Sequence, residues 1–205
     1  MEALTSRLFI KTMKIIGLTG GIGSGKTKIL NVFKAKGVPC YEADLASRKL
    51  IDSDPFLISE IKKIFGSEIY LDAKLDRKKV ADIVFNSPEK LKQLNALVHP
   101  VVAADFDEFL THQKSHYVIK EAAILFETGG DKKCNATILV TSPLETRIAR
   151  VMRRDNISRE KVLERINNQW EDKLKIPLAD FIINNTNWEN TLIEIEAIHN
   201  HLMKM

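Results

Sequence analysis

The sequence predicts an α/β fold with a five-stranded, mainly parallel sheet flanked by helices. Strand-like apolar runs alternate with stretches of helical periodicity, and that alternation is typical of an α/β protein. The runs are almost continuously apolar, as expected of parallel strands that are covered by helices on both faces. The candidate strands are residues 14–18, 38–41, 117–120, 136–141 and 181–183.

The composition is that of an ordinary globular protein with one sizeable core: 205 residues, 44% apolar and 28% charged. Acidic residues interrupt the basic ones and the net charge is +4, which favours a small anionic ligand over nucleic acid. No apolar run approaches the roughly 20 residues of a membrane span. Cys40 and Cys134 lie far apart, so we expect reduced thiols and a cytoplasmic location, without a disulfide framework or zinc site.

The long segment between the second and third candidate strands shows only helical patterns. Apolar stripes predict helices over residues 58–65 and 80–84, the latter after a possible cap at Asp76. Ser87, followed by proline, predicts the start of another helix. Pro100 should end or kink that helix, with a further helix following. This all-helical insertion is either a substrate-binding subdomain or scaffold, and periodicity does not separate the two.

Residues 17–27 read Gly-Leu-Thr-Gly-Gly-Ile-Gly-Ser-Gly-Lys-Thr and lead from the first strand into a predicted helix. The spacing from Gly20 is that of a P-loop. The glycines let the backbone turn successive N–H groups toward one anion, and the helix N-terminus adds further donors. Lys26 supplies a cation for the phosphates, and the Thr27 hydroxyl is the predicted ligand of a magnesium ion. The predicted phosphate-binding residues are Gly20, Gly21, Ile22, Gly23, Ser24, Gly25, Lys26 and Thr27.

Asp44 and Arg48 follow the second strand, at the edge of a parallel sheet where ligands usually bind. They lie four residues apart and share one face if the segment is helical. Asp44 could accept a hydroxyl proton while Arg48 holds an anionic substrate. The alternative is an ordinary ion pair on a helix surface.

Residues 144–155 predict an amphipathic helix with a basic face. Arg147, Arg150 and Arg154 fall within an arc of about 60° at helical spacing. Like charges on one face repel each other, so their clustering indicates a bound anion. Ser158 then predicts the start of a second helix.

That second helix is expected to bury Val162, Ile166 and Trp170, with Arg165 and Gln169 on a different side. Together the two helices predict a lid that closes over phosphates. The alternative is a solvated basic helix pair.

Three further residues carry weaker signals. Glu121, at the expected end of the third strand, is placed to contact magnesium through water. Glu127 lies in the loop just beyond it, and both carboxylates also have a structural interpretation. His99, which precedes a proline, is more often a packed or capping histidine than a base, and its function stays open.

The chain resembles the dephospho-CoA kinases, P-loop enzymes that complete coenzyme A synthesis. The similarity covers residues 14 to about 188 and rests on four motifs in order. These are residues 17–27; Ala43-Asp44 with Arg48; Leu97-Val98-His99-Pro100; and the run from Arg150 through Arg154-Asp155 and Arg165-Ile166 to residues 179–185. The sequence departs from the family at Glu42, where Asp is frequent, and at Ala123-Ile124-Leu125, where Pro-Leu-Leu is frequent.

The resemblance implies a P-loop NTPase fold in three parts. Residues 13–49, 113–142 and 178–205 would form the nucleotide-binding core, residues 50–112 a helical CoA-substrate domain, and residues 143–177 a helical lid. Residues 1–12 are predicted to be an extension ahead of the first strand.

The resemblance also implies a reaction, the transfer of the ATP γ-phosphoryl group to the ribose 3′-hydroxyl of dephospho-CoA. The implied partners are small molecules, with Mg²⁺ accompanying ATP, and neither nucleic acid nor membrane. By position, Asp44 would be the general base, with Lys26 and Arg150 as further catalytic residues. The implied ATP contacts beyond the loop are Arg150, Arg154 and Arg165, and the implied substrate contacts are Asp44, Arg48 and His99.

Two other functions stay open at this point. A kinase for another nucleotide or nucleoside would show a similar core and lid. A nucleotide-dependent switch protein belongs to a different class, but the Asn-Lys-x-Asp motif with which such proteins usually read the base is absent from the sequence. The sequence leaves the oligomeric state open.

Overall fold

The computed structural model describes residues 13–205, in two compact units. We call the first the sheet unit: it comprises the described residues up to Glu42 together with Gln113–Met205. The second, the insertion unit, is Ala43–His112. The extension predicted for residues 1–12 lies outside the described residues.

Strands and helices are numbered here in chain order over the described residues. The strands are β1 (Lys14–Thr19), β2 (Cys40–Glu42), β3 (Tyr70–Leu71), β4 (Lys74–Leu75), β5 (Tyr117–Glu121), β6 (Ala136–Thr141) and β7 (Phe181–Asn184). The helices are α1 (Lys26–Ala35), α2 (Ala43–Ser53), α3 (Pro55–Phe65), α4 (Arg77–Phe85), α5 (Pro88–Thr111), α6 (Leu144–Asp155), α7 (Arg159–Asn167), α8 (Asp172–Lys175) and α9 (Trp188–Leu202).

The sheet unit contains a five-stranded parallel sheet of order β2-β5-β1-β6-β7. This confirms the predicted fold class, and a strand forms at each of the predicted apolar runs. The central strands are almost fully buried, as their continuous apolar character requires. Helices α1 and α9 contribute Phe33, Ile195 and Leu202 to the same core as Ile16 and Ile138.

The insertion unit consists of helices α2 to α5 and a small antiparallel hairpin, β3–β4. The insertion is therefore not all-helical as expected, because it contains the β3–β4 hairpin. Asp72 and Ala73 form the hairpin turn with φ of 48° and 64°. Both residues thus have the positive φ that a tight hairpin turn demands, although neither is the glycine or asparagine that usually marks it.

Side-chain caps start two helices of the insertion unit as predicted. The Asp76 carboxylate accepts a hydrogen bond from the Lys79 N–H at 3.0 Å, and the Ser87 hydroxyl accepts one from the Lys90 N–H at 3.4 Å. Both caps satisfy backbone donors that the first helical turn leaves without a partner.

Helix α5 runs without a break through Pro100, so the predicted end near His99 and the separate helix after it are wrong, while the alternative, a kink at this proline, stays a prediction. Proline inside a helix removes one hydrogen bond and costs about 3 kcal/mol. Val98 is buried, and Val101 and Val102 are partly buried, against the apolar cluster of the insertion unit. Burial on both sides of the proline offsets that cost and keeps the helix continuous.

The predicted second lid helix begins after Ser158 and buries Val162, but it ends at Asn167. Trp170 lies beyond the helix and its exposed fraction is 44%, so its predicted burial is wrong. Among residues 13–205, no helix combines the length and apolar character that crossing a membrane requires.

We expect Ile138→Ala in β6 to lower the free energy of unfolding by about 2–5 kcal/mol, because it leaves a cavity at a fully buried position. Ile193→Ala in α9 is the matched control, since Ile193 is 68% exposed, and should change stability by less than about 0.5 kcal/mol. Urea titration followed by circular dichroism measures both. Equal effects of the two substitutions would contradict the described core.

Candidate active site

A glycine-rich loop connects β1 to α1, so the predicted strand, loop and helix follow one another as expected. Gly23 and Gly25 have φ of 80° and 98°, a region that favours glycine. A Cβ atom on Gly25 would lie 2.1 Å from Nδ2 of Asn185. Glycine is therefore required here both for backbone conformation and for the close approach of Asn185.

Lys26 opens α1 and its side chain folds back over the loop. Its Nζ donates a hydrogen bond to the Gly20 carbonyl oxygen at 2.8 Å and lies 3.9 Å from Oε1 of Glu121. Glu121 ends β5, in register with Leu18 of β1 and Glu42 of β2. A cation and a carboxylate thus meet at the carboxyl ends of the central strands, where parallel sheets bind ligands.

Two oxygen donors next to Lys26 suit a magnesium ion. Thr27 is exposed in the first turn of α1, and the Glu121 carboxylate lies beside the lysine. Magnesium prefers such hard oxygen ligands and usually takes only one or two from protein, the rest coming from water and substrate phosphates. The residues present therefore fit an ion that arrives with a nucleotide.

Arg150 on α6 binds carbonyl oxygens of the glycine-rich loop. Its Nη1 donates to the carbonyl oxygens of Gly23 and Ser24, each at 3.3 Å, and to Oγ of Ser142 at 3.2 Å. Its Nη2 donates to the carbonyl oxygen of Asn185 at 3.1 Å. Because the loop carbonyls are satisfied from behind, they do not compete for the space toward which the loop N–H groups turn.

Asn185, just after β7, contacts the loop, and the sequence reasoning did not single it out. Its Nδ2 donates to the Ser24 carbonyl oxygen at 2.7 Å. The available signal was its position directly after the last strand, at the same sheet edge as the loop.

Arg154 and Arg165 share one carboxylate. Asp155 accepts from Nε and Nη2 of Arg154 at 2.7 and 3.0 Å, and from Nη1 of Arg165 at 2.6 Å. These hydrogen bonds, first that of Arg154, lower the pKa of Asp155 to about 2. The carboxylate is therefore ionised at neutral pH and holds the two arginine side chains side by side.

Arg147, the third arginine of the α6 face, is buried. Its Nη1 lies 3.3 Å from Oδ2 of Asp172. Because Arg147 pairs with Asp172, Arg150 with carbonyl oxygens and Arg154 with Asp155, the protein itself relieves their repulsion. The argument that this spacing requires a bound anion is therefore not supported.

Asp44, Arg48 and His99 belong to the insertion unit. Asp44 lies in the first turn of α2 and Arg48 one turn later, both exposed and without an ion pair between them in the described chain. His99 is exposed in the middle of α5, so its interpretation as a packed or capping histidine is wrong.

Glu127 has a structural partner that the sequence did not predict. Its Oε1 lies 3.1 Å from Nζ of Lys175, whose side chain is fully buried, and accepts the Trp170 N–H at 3.0 Å. The loop after β5 is thus tied to the segment between α7 and α8.

A cavity of about 480 Å³ is lined by residues of α6, α7 and the segment that follows α7, all in the sheet unit. Its walls combine apolar side chains with one ion pair. The lining includes Leu144, Arg147, Leu163, Ile166, Trp170 and Asp172.

Neither cysteine has the properties of a nucleophile. Burial is the main reason that the pKa of Cys40 rises to about 12 and that of Cys134 to about 11. Both thiols are therefore protonated at neutral pH.

The sheet order, with a glycine-rich loop leading from β1 into α1, defines the fold of a P-loop kinase. A shikimate kinase structure from Bacteroides thetaiotaomicron shares this fold, with a TM-score of 0.51 at 16% identity over 93% of this chain and 98% of that one. The model of the dephospho-CoA kinase family matches residues 14–190. The chain belongs to that family and is accordingly a phosphotransferase.

Individual relatives agree with the family model. A dephospho-CoA kinase from Leptospira interrogans is 38% identical, over 92% of this chain and 93% of its own length. A crystal structure from Thermus thermophilus has a TM-score of 0.83 at 34% identity, covering 94% of this chain and 98% of that one. The dephospho-CoA kinase structure from Campylobacter jejuni has a TM-score of 0.67 at 26% identity, covering 93% of this chain and 97% of that one.

We expect Arg150→Ala to weaken MgADP binding at least about tenfold, because hydrogen bonds from a charged donor to the loop carbonyls are lost. Arg153→Ala is the matched control, since Arg153 is exposed on the same helix. Calorimetric titration measures the two Kd values. Equal affinities in the two variants would show that Arg150 does not shape the loop.

Proposed function

We propose that this chain transfers the γ-phosphoryl group of ATP to the ribose 3′-hydroxyl of dephospho-CoA, giving coenzyme A and ADP. The observation that carries the proposal is the family match over residues 14–190, which spans the loop, both predicted substrate segments and the lid. Phosphoryl transfer depends on positioning and on neutralising charge more than on covalent help from the protein. The contacts of the loop with Lys26 and with the arginines of α6 support both roles.

The loop and its cation would hold the donor. The N–H groups of Gly23 and of residues 25–27 would bind phosphate oxygens where the N-terminus of α1 adds its positive dipole end. Lys26, now bonded to the Gly20 carbonyl oxygen, would extend to the β- and γ-phosphates. Loop residues Gly20, Gly21, Ile22, Ser24 and Gly25 would fix that geometry.

Arg150, Arg154 and Arg165 would complete the ATP site from the lid, residues 143–177. Arg150 acts through the loop, to whose carbonyl oxygens it is bonded. The exposed Arg154 and Arg165, aligned by Asp155, are available to bind phosphate oxygens as charge moves to the leaving group.

Magnesium would be held by the Thr27 hydroxyl, with Glu121 contacting it through water. When bound, it neutralises phosphate charge and orients the phosphate oxygens. The protein contributes the position of these two oxygen donors beside Lys26.

The insertion unit would hold the acceptor. We assign Asp44 as the general base that orients the 3′-hydroxyl and accepts its proton, and Arg48 and His99 as substrate contacts. Their exposure supports this assignment, because exposed side chains at helical positions are available to a ligand. In this scheme residues 50–112 form the CoA-substrate domain, and residues 13–49, 113–142 and 178–205 the nucleotide core.

The proposed partners are small molecules, with ATP and dephospho-CoA as substrates. The interleaved charges and net charge of +4 support an anionic metabolite rather than nucleic acid. A cytoplasmic location is part of the same proposal.

The direct test is to incubate the purified protein with Mg²⁺, ATP and dephospho-CoA and to follow ADP and coenzyme A by chromatography. We expect stoichiometric formation of both products, abolished by EDTA. Parallel reactions with AMP and adenosine as acceptors test for another nucleotide or nucleoside kinase. Bound ATP without coenzyme A formation would overturn the proposed acceptor.

Asp44→Asn should lower kcat at least about 10²-fold while Kd for MgATP stays within about twofold, because the amide cannot accept the proton. Asp107→Asn is the matched control, an exposed carboxylate elsewhere in the insertion unit. Steady-state kinetics and calorimetry measure the two quantities. A kcat near that of the unsubstituted protein would rule out Asp44 as the base.

A further inference from the structure

Ile22 joins the glycine-rich loop to the lid through three separate contacts. Its N–H donates to Oε1 of Gln169 at 2.8 Å. Its carbonyl oxygen accepts from Nε of Arg147 at 3.0 Å. Its side chain packs against the buried cluster of Ile148, Val151 and Val162. Both backbone polar groups of this loop residue are therefore bound by lid side chains.

Each of these two side chains is held in turn. Nε2 of Gln169 donates to the Ala123 carbonyl oxygen at 3.3 Å, in the loop after β5. Arg147 is 7% exposed and pairs with Asp172. A Cβ atom on Gly21 would lie 2.0 Å from Nη2 of Arg147. Gly21 thus makes room for the guanidinium group.

The segment that carries Gln169 is anchored immediately downstream. The Trp170 N–H and the buried Lys175 both contact Oε1 of Glu127, at 3.0 and 3.1 Å. This anchor holds the Gln169 amide at a set distance from the loop.

We propose that Gln169 and Arg147 are positioning residues for phosphate binding, an inference that rests on the proposed function. Together they fix the two peptide units flanking Ile22, and thereby aim the N–H groups of Gly23 and of residues 25–27 at the nucleotide, while the Ser24 N–H is bonded to the Gly21 carbonyl oxygen. Because Gln169 accepts the hydrogen bond of the Ile22 N–H, Ile22 is a fixed point of the loop and its N–H does not bind phosphate.

Glutamine is the side chain that meets both demands at this position. Its amide must accept from Ile22 and donate to Ala123 at the same time. Glutamate keeps the acceptor but loses the donor, and it adds a negative charge beside the site for an anion. An apolar side chain of similar length loses both hydrogen bonds.

The test compares Gln169→Met, Gln169→Glu and the control Asn168→Ala, whose side chain is exposed one residue earlier. Three quantities are measured: hydrogen exchange of the Ile22 amide without nucleotide, Kd for MgADP, and KM for ATP against KM for dephospho-CoA. The exchange and Kd measurements need no acceptor, so they stand even if coenzyme A formation fails in the unsubstituted protein.

We expect Gln169→Met to speed Ile22 exchange and to raise Kd for MgADP and KM for ATP, each about tenfold. KM for dephospho-CoA should stay unchanged. Gln169→Glu should keep Ile22 exchange slow, because its carboxylate still accepts, yet weaken MgADP binding through its charge. If Gln169→Met does not fold, Gln169→Glu serves as the test. Slow Ile22 exchange with weakened MgADP binding supports the proposal, and unchanged MgADP affinity contradicts it.

Two outcomes would overturn the proposal. One is Ile22 exchange and MgADP affinity in Gln169→Met equal to those of Asn168→Ala. The other is a lower melting temperature and lower kcat with unchanged KM for ATP, which would make Gln169 a structural residue only.

Discussion

The candidate site depends on one constraint, which is that the carbonyl oxygens of the glycine-rich loop must be satisfied on the side away from the nucleotide. Side-chain donors from two regions of the chain, α6 and the residue after β7, do this, and each is a cation or an amide. The acceptors are the carbonyl oxygens of Ile22, Gly23 and Ser24, and the donors are Arg147, Arg150 and Asn185. When its carbonyl oxygens are bound in this way, the loop can direct N–H groups to the opposite side, where they can donate hydrogen bonds to an anion. The cations also add positive potential behind the loop.

Local signals predicted most of the fold. Continuous apolar runs located the parallel strands because burial on both faces leaves few alternatives for such segments. Asp76 and Ser87 located helix starts because a cap acts within its own first turn. The helix end predicted at Pro100 is wrong because the local cost of the proline is opposed by the packing of Val98 and its neighbours. A local sequence pattern contains no information about that packing. The β3–β4 hairpin was missed since Ala73, with φ of 64°, is not a typical residue for the left-handed conformation of a hairpin turn.

In the candidate site too, the parts that depend on local sequence could be predicted, and the contacts between distant residues could not. Residues 20–27 form a contiguous motif, and their strand, loop and helix context could be predicted from spacing alone. The α6 arginines were found as a face, but their partners were not, since Asp172 and the Ser24 carbonyl oxygen become neighbours only in the folded chain. Gln169 is named in none of the four motifs and Asn185 is only the last residue of the fourth, and their hydrogen bonds to the loop cross more than a hundred residues of sequence.

The buried pair of Glu127 and Lys175 restricts how this region of the protein can evolve. Lys175 is fully buried and Glu127 is the carboxylate beside it, so loss of either partner alone leaves an uncompensated charge in a poorly solvated place. Replacement of both by apolar side chains of similar volume avoids that penalty. The two positions should therefore change together in descendants of this chain. A protein with only one of the two substitutions would be less stable than either the charged pair or the apolar pair.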